Sequence, residues 1–213
     1  MKLSDQRCLF EMMAVVFTGI GKYIFMDWLE VRLAYMTVAC AFWVGYIAFR
    51  SFQNRNVLSY WGLTGKRFKK SFLEFLPFAV MVVVIFIVAG TYLGTSVLSW
   101  HIFPILLLYP IWGIIQQFVM IGIFARNLKQ IGDYNIPDWV IILVTALTFS
   151  VVHLPSVLLV IATFFLALIY TTLYLKNRNL IVMGIFHGWL GAFFFYTLLH
   201  RDSWKEVFGV LGI

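Results

Sequence analysis

Seven long runs of apolar residues alternate with short polar connections along the whole chain. They fall at about residues 8–25, 33–49, 72–93, 102–125, 139–153, 156–175 and 180–199. Each exceeds the ~9–11 alternating residues of a membrane strand. Most approach the ~20 residues needed to cross ~30 Å of hydrocarbon. An open sheet would leave edge amides without partners in lipid, so the runs predict helices. The expected fold is all-α, a polytopic bundle of about seven transmembrane helices (six to eight), built as one integral membrane domain over 1–213. No internal repeat is visible. The connection over 51–70 is polar, with a basic cluster at Lys66, Arg67, Lys69 and Lys70.

Composition strengthens this reading. The 213 residues are 62% hydrophobic and 12% charged, whereas a soluble domain is about 45–50% apolar and about 25% charged. A soluble domain, a disordered chain and a disulfide scaffold are thereby excluded. Cys8 and Cys40 stand in apolar surroundings and read as packing residues. The first run lacks a small-x-small cleavage site and contains Glu11, so it reads as a retained span. No C-terminal CaaX sequence marks the chain for prenylation.

The formal charge of +7 would suggest nucleic acid in a soluble protein. Here its distribution points to the bilayer. With the N-terminus inside, twelve basic residues fall on inner segments: Lys2, Arg7, Arg50, Arg55, Lys66, Arg67, Lys69, Lys70, Arg126, Lys129, Lys176 and Arg178. Three, Arg32, Arg201 and Lys205, fall outside. Such a bias orients membrane proteins with the richer side in the cytoplasm. The expected partner is the membrane lipid bilayer, with no nucleic acid.

Ionisable and amide groups at membrane depth are costly, and each is a candidate for function. They are Glu11, Lys22, Gln116, Gln117, His153 and His187. Glu11 also suits pairing with a cation, and Lys22 can snorkel toward the outer surface. His101 and His200 lie at span ends and receive no role. Gln116 and Gln117 are helix neighbours, ~100° apart, and can face one cavity or hydrogen-bond between helices. His153 shares a face with Phe149, and His187 shares one with Gly191, each pair being four residues apart. Two histidines and two amides on three core spans suggest a convergent site. Spans four to seven contain no carboxylate, which weakens metal ligation and carboxylate-assisted base chemistry alike. No metal and no cofactor are expected.

The order of these residues resembles the CPBP family, the type II CAAX prenyl proteases and bacteriocin-processing intramembrane proteases also called Abi proteins. That family carries Glu-Glu-x-x-x-Arg, then Phe-x-x-x-His, then His-x-x-x-Asn (or Asp) on separate helices. Here the sequence reads Gln116-Gln117-Phe118-Val119-Met120-Ile121-Gly122, then Phe149-Ser150-Val151-Val152-His153, then His187-Gly188-Trp189-Leu190-Gly191. Tyr60-Trp61-Gly62-Leu63 resembles the short Gly-Leu element before the family's core, and Asn177-Arg178-Asn179-Leu180 the turn into its last motif helix. The resemblance covers about 61–195. Glutamine replaces both glutamates, Ile121 replaces the arginine and Gly191 the asparagine. On an α-helix Arg126 lies ~140° round from Ile121 and reads as an interface anchor.

The resemblance implies an intramembrane endopeptidase acting on membrane-embedded or lipidated peptides, in a bacterial or archaeal cell membrane. A glutamine amide can orient water but cannot accept its proton. His153 or His187 could, since imidazole has a pKa near 6.5, and the other histidine with the amides could hold an oxyanion. Phe149 and Gly191 would line the substrate. Glu11 could orient the base histidine, provided that the first span packs beside span five or seven. The alternative is a non-catalytic homologue that binds such segments as a scaffold or chaperone. A third reading takes the glutamines as engineered replacements of glutamate, against which the missing arginine speaks.

Overall fold

The computed structural model describes residues 3–209; Lys2, counted above among the inner charges, lies outside them. In chain order the helices are α1 (Asp5–Gly21), α2 (Arg32–Gln53), α3 (Asn56–Trp61), α4 (Phe68–Tyr92), α5 (Ile102–Gln117), α6 (Arg126–Gln130), α7 (Asp138–Val151), α8 (Val157–Asn177), α9 (Leu180–Thr197) and α10 (Ser203–Phe208). No strand occurs among the described residues. Six helical stretches are long and apolar enough to cross a membrane: Asp5–Trp28, Arg32–Gln53, Phe68–Tyr92, Ile102–Gln130, Val157–Asn177 and Leu180–Thr197. The protein is a helical membrane bundle. The fifth run forms the 14-residue helix α7, only ~21 Å long at ~1.5 Å per residue, short of ~30 Å of hydrocarbon.

Two stretches depart from α geometry. After α1 and after α5 the helix widens to i→i−5 hydrogen bonding, over Lys22–Trp28 and Phe118–Ala125. Such widened turns are rare and concentrate at functional places. In the second, the Arg126 N–H donates to the Ile121 carbonyl. One i→i−5 turn therefore separates the two residues, and Arg126 stands closer to the Ile121 face than the ~140° of an α-helix. Its guanidinium lies over the Tyr60 ring, 4.4 Å from the centroid.

The chain divides into two compact units. The first holds residues 3–64 and 117–180. Its centre is aromatic: Trp61 meets Phe118 edge-on at 4.9 Å, and Trp43 meets the same ring at 6.0 Å. The connection over 51–70 is less open than its polarity predicts, because α3 turns Val57, Tyr60 and Trp61 inward. Gly62 ends α3 with φ +82°, and a Cβ there would stand 2.5 Å from the Arg178 carbonyl oxygen. The Leu180 N–H donates to the Gly62 carbonyl, and the Tyr174 hydroxyl to that of Trp61. The two short elements picked out by resemblance, 60–63 and 177–180, are thus docked on each other.

The second unit holds residues 65–116 and 181–209. Here α5 and α9 touch backbone to backbone. A Cβ on Gly113 would fall 2.3 Å from the Gly184 carbonyl oxygen, and one on Gly188 would fall 2.5 Å from the Tyr109 carbonyl carbon. Small residues four apart allow such approach in lipid, where dispersion and hydrogen bonds replace the hydrophobic effect. Pro110 has no N–H for the carbonyl of Leu106, one turn before it. The Trp189 indole N–H of α9 takes that carbonyl at 3.0 Å. Phe72 and Phe75 of α4 pack on Phe186, with centroids at 4.9 and 5.7 Å.

Candidate active site

The crossing of α5 and α9 fixes the register of the residues beside it. Gln116 lies three residues beyond Gly113, and His187 lies between Gly184 and Gly188. Their side chains meet: His187 Nε2 and Gln116 Oε1 are 2.9 Å apart. With the amide oxygen as acceptor, Nε2 carries the ring proton, and Nδ1 is the basic nitrogen of the neutral imidazole. One turn on from His187, a Cβ added at Gly191 would meet nothing within 4 Å. Open space therefore adjoins the histidine on its own helix face.

In the first unit, His153 follows the end of α7. Its Nδ1–H donates to the Phe149 carbonyl at 2.8 Å, and the two rings meet edge-on at 4.9 Å. Nε2 is then the basic nitrogen. Phe149 itself is buried, as are Gln117 and Ile121. Ile121 sits within the widened helix as an apolar side chain with no charge to offer. Arg126 is stacked on Tyr60.

A family comparison bears on this constellation. Residues 97–193 match the type II CAAX prenyl endopeptidase Rce1-like family. The Rce1-like stretch contains Gln116, Gln117, Phe149, His153, His187 and Gly191, and it begins well after Tyr60–Leu63. It supports a CAAX-protease-type function in an integral membrane protein. No curated protein matches the chain, and no solved structure does.

A polar cluster that the sequence does not bring together joins Glu11, Tyr46 and Arg50, which precede the Rce1-like stretch, to Asn127 within it. Glu11 is buried, and its Oε1 accepts from Arg50 Nη1 at 2.7 Å and from the Tyr46 hydroxyl. Its Oε2 accepts from Asn127 Nδ2 at 2.7 Å. Both carboxylate oxygens are thereby engaged, so Glu11 does not serve to orient a histidine; it pairs with a cation. Cys8, next to this cluster through its carbonyl, is a free buried thiol, and Cys40 is free as well.

His101 also gains a partner that its span-end position conceals. Its Nδ1 lies 2.6 Å from Asp202 Oδ2, while Asp202 Oδ1 accepts from the Tyr196 hydroxyl at 2.8 Å and caps α10 through the Trp204 and Lys205 N–H groups. Burial alone would raise the Asp202 carboxyl. The hydrogen bonds from His101, Tyr196 and Lys205 outweigh it and hold the group below its ordinary range. Among the described residues, no group of three or more His, Cys, Asp and Glu side chains is placed to hold a metal ion.

Proposed function

We propose that this chain is a divergent intramembrane endopeptidase of the CAAX-protease type that cleaves membrane-embedded or lipidated peptides. The observation that carries the reading is the His187–Gln116 hydrogen bond inside a Rce1-like stretch. It fixes an imidazole tautomer in the membrane beside the open face of Gly191. Hydrolysis of a peptide bond needs a base that takes the proton of water as it attacks the carbonyl carbon. His153 offers Nε2 for that role, and His187 offers Nδ1. At the His187 site, the N–H of the Gln116 amide donates to the developing oxyanion. The base then returns its proton to the leaving amine. Phe149 and Gly191 shape the space for the substrate chain. The basic connection over 51–70 and the N-terminus face the cytoplasm, as the distribution of Lys and Arg supports.

The second reading, a non-catalytic scaffold or chaperone, is favoured by one feature: the motif position at Ile121 is buried and apolar. A cleavage assay in liposomes decides between them. An internally quenched prenylated peptide is the probe, and His153→Ala and His187→Ala are the controls. Cleavage that disappears in both variants supports the peptidase. A parent protein that retains the peptide without cutting it supports the scaffold.

A further inference from the structure

The widened turn at the end of α1 is aimed at the His153 corner. A Cβ on Gly19 would stand 3.2 Å from the Val152 side chain. The Tyr23 hydroxyl donates to the Val151 carbonyl, and Lys22 Nζ donates to the Leu154 carbonyl at 3.3 Å. The end of α1 and the turn after it thus touch Val151, Val152 and Leu154, on both sides of His153. Lys22 is also 2.5 Å from Asp27 Oδ2. The two residues are five apart, the spacing that i→i−5 geometry stacks and an α-helix does not. The side chains keep 23% and 35% of their surface accessible. An ammonium that merely escaped to water would need neither a carboxylate nor a carbonyl. This one is tethered to the carbonyl of Leu154, the residue next to His153.

We propose that Lys22, tethered by Asp27, is a catalytic cation of the His153 site and stabilises the oxyanion that forms there. The proposal rests on the peptidase reading given above. Water attacks the scissile carbonyl carbon, and its proton passes to His153 Nε2. The carbonyl π electrons move onto oxygen, where the Lys22 ammonium meets the new negative charge. When the tetrahedral intermediate collapses, the C–N bond breaks and His153 returns the proton to the leaving amine. No further reactant is needed. The positive charge that Ile121 cannot supply comes in this way from a different span. Asp27 is a positioning residue that acts through Lys22.

The test uses the full chain in liposomes and two readouts. Cleavage of an internally quenched prenylated peptide should fall by roughly 10²–10³ in kcat for Lys22→Met, the loss seen when one oxyanion donor is removed. Lys22→Arg should retain most of it. Asp27→Asn keeps the ammonium and should lose less than Lys22→Met. In parallel, the His153 ring is titrated by NMR in histidine-labelled protein. Lys22→Met should let the ring take up its proton at higher pH than in the parent or in Lys22→Arg, because a neighbouring cation is gone. A merely structural lysine would change thermal stability and leave both the titration and the kcat of the folded fraction unmoved, which overturns the proposal. A parent that cleaves nothing overturns the peptidase reading and the oxyanion role together. Cleavage that survives Lys22→Met overturns this proposal alone.

Discussion

Glu11 of α1 and Arg50 of α2 form a buried ion pair at 2.7 Å, with Asn127 bound to the other carboxylate oxygen. The pair joins three stretches that are more than thirty residues apart in sequence. Removing one partner of such a pair leaves a charge in the interior without compensation, at a cost of about 3–5 kcal/mol. Glu11→Leu should therefore lower the thermal unfolding temperature sharply in detergent. The double variant Glu11→Leu/Arg50→Leu should recover much of the loss. A double variant as unstable as the single one would show that the ion pair is not the source.

The Gln116–His187 contact separates base chemistry from orientation. His187→Ala should reduce peptide cleavage by roughly 10²–10⁴-fold if the ring is the base. Gln116→Ala removes only the amide that fixes the tautomer and should cost less. Restoring the family's glutamates as Gln116→Glu/Gln117→Glu should not raise cleavage, because Ile121 and Gly191 withhold their arginine and asparagine partners. Strong cleavage by that double variant would place the site one pair of substitutions from the family's own chemistry.

Glycines on one face of α9 should respond differently to the same test. Gly191→Asn adds a side chain into open space and should leave expression and unfolding temperature unchanged. Gly188→Ala drives a methyl against the Tyr109 and Pro110 backbone at about 2.5 Å and should destabilise. Overpacking of this kind costs about 1–3 kcal/mol. Thermal unfolding of the two variants beside the parent measures the difference.

The His101–Asp202 pair makes an acid-side prediction. The Asp202 carboxyl is held below its ordinary range when folded. The stability it contributes is present above the unfolded value of ~3.9 and is lost as pH falls through the lower folded value. Asp202→Asn should therefore flatten the decline of stability below about pH 4 and have a constant offset above it. Unfolding midpoints of parent and variant, measured from pH 3 to 7, test this directly.

Topology can be read independently. A cysteine at Asn54, with Cys8 and Cys40 replaced by serine, should react with an impermeant thiol reagent only after cells are opened. Labelling of intact cells would reverse the orientation.

The spans were legible because length and continuous apolarity leave a chain in lipid few alternatives. The end of α7 was placed within two residues by Leu154-Pro155. The histidines and glutamines stood out because a polar group among dozens of apolar ones is conspicuous. The widened turns left no such mark: Lys22–Trp28 and Phe118–Ala125 contain ordinary helix-forming residues, and tertiary packing selects their geometry. Arg126 was accordingly misplaced in angle, and the pairing of Lys22 with Asp27 left no sign. Glu11 was recognised as needing a cation, but Arg50 lies at the far end of the next span, where it reads as one more inner charge. Asp202 lies a hundred residues from His101, beyond any local pattern.

Pro110 breaks one rung of α5, and the freed carbonyl of Leu106 is closed by Trp189 from α9. A proline in a membrane helix ordinarily creates a hinge, because the bond that would resist bending is missing. Here the missing rung is supplied by the neighbour. Bending α5 at Pro110 would pull on α9 at Trp189, one residue from Gly188 and two from His187, so the two helices carrying Gln116 and His187 are coupled across this bond. The Trp189–Leu106 bond thereby braces the stretch of α5 and α9 that also carries the Gln116–His187 contact.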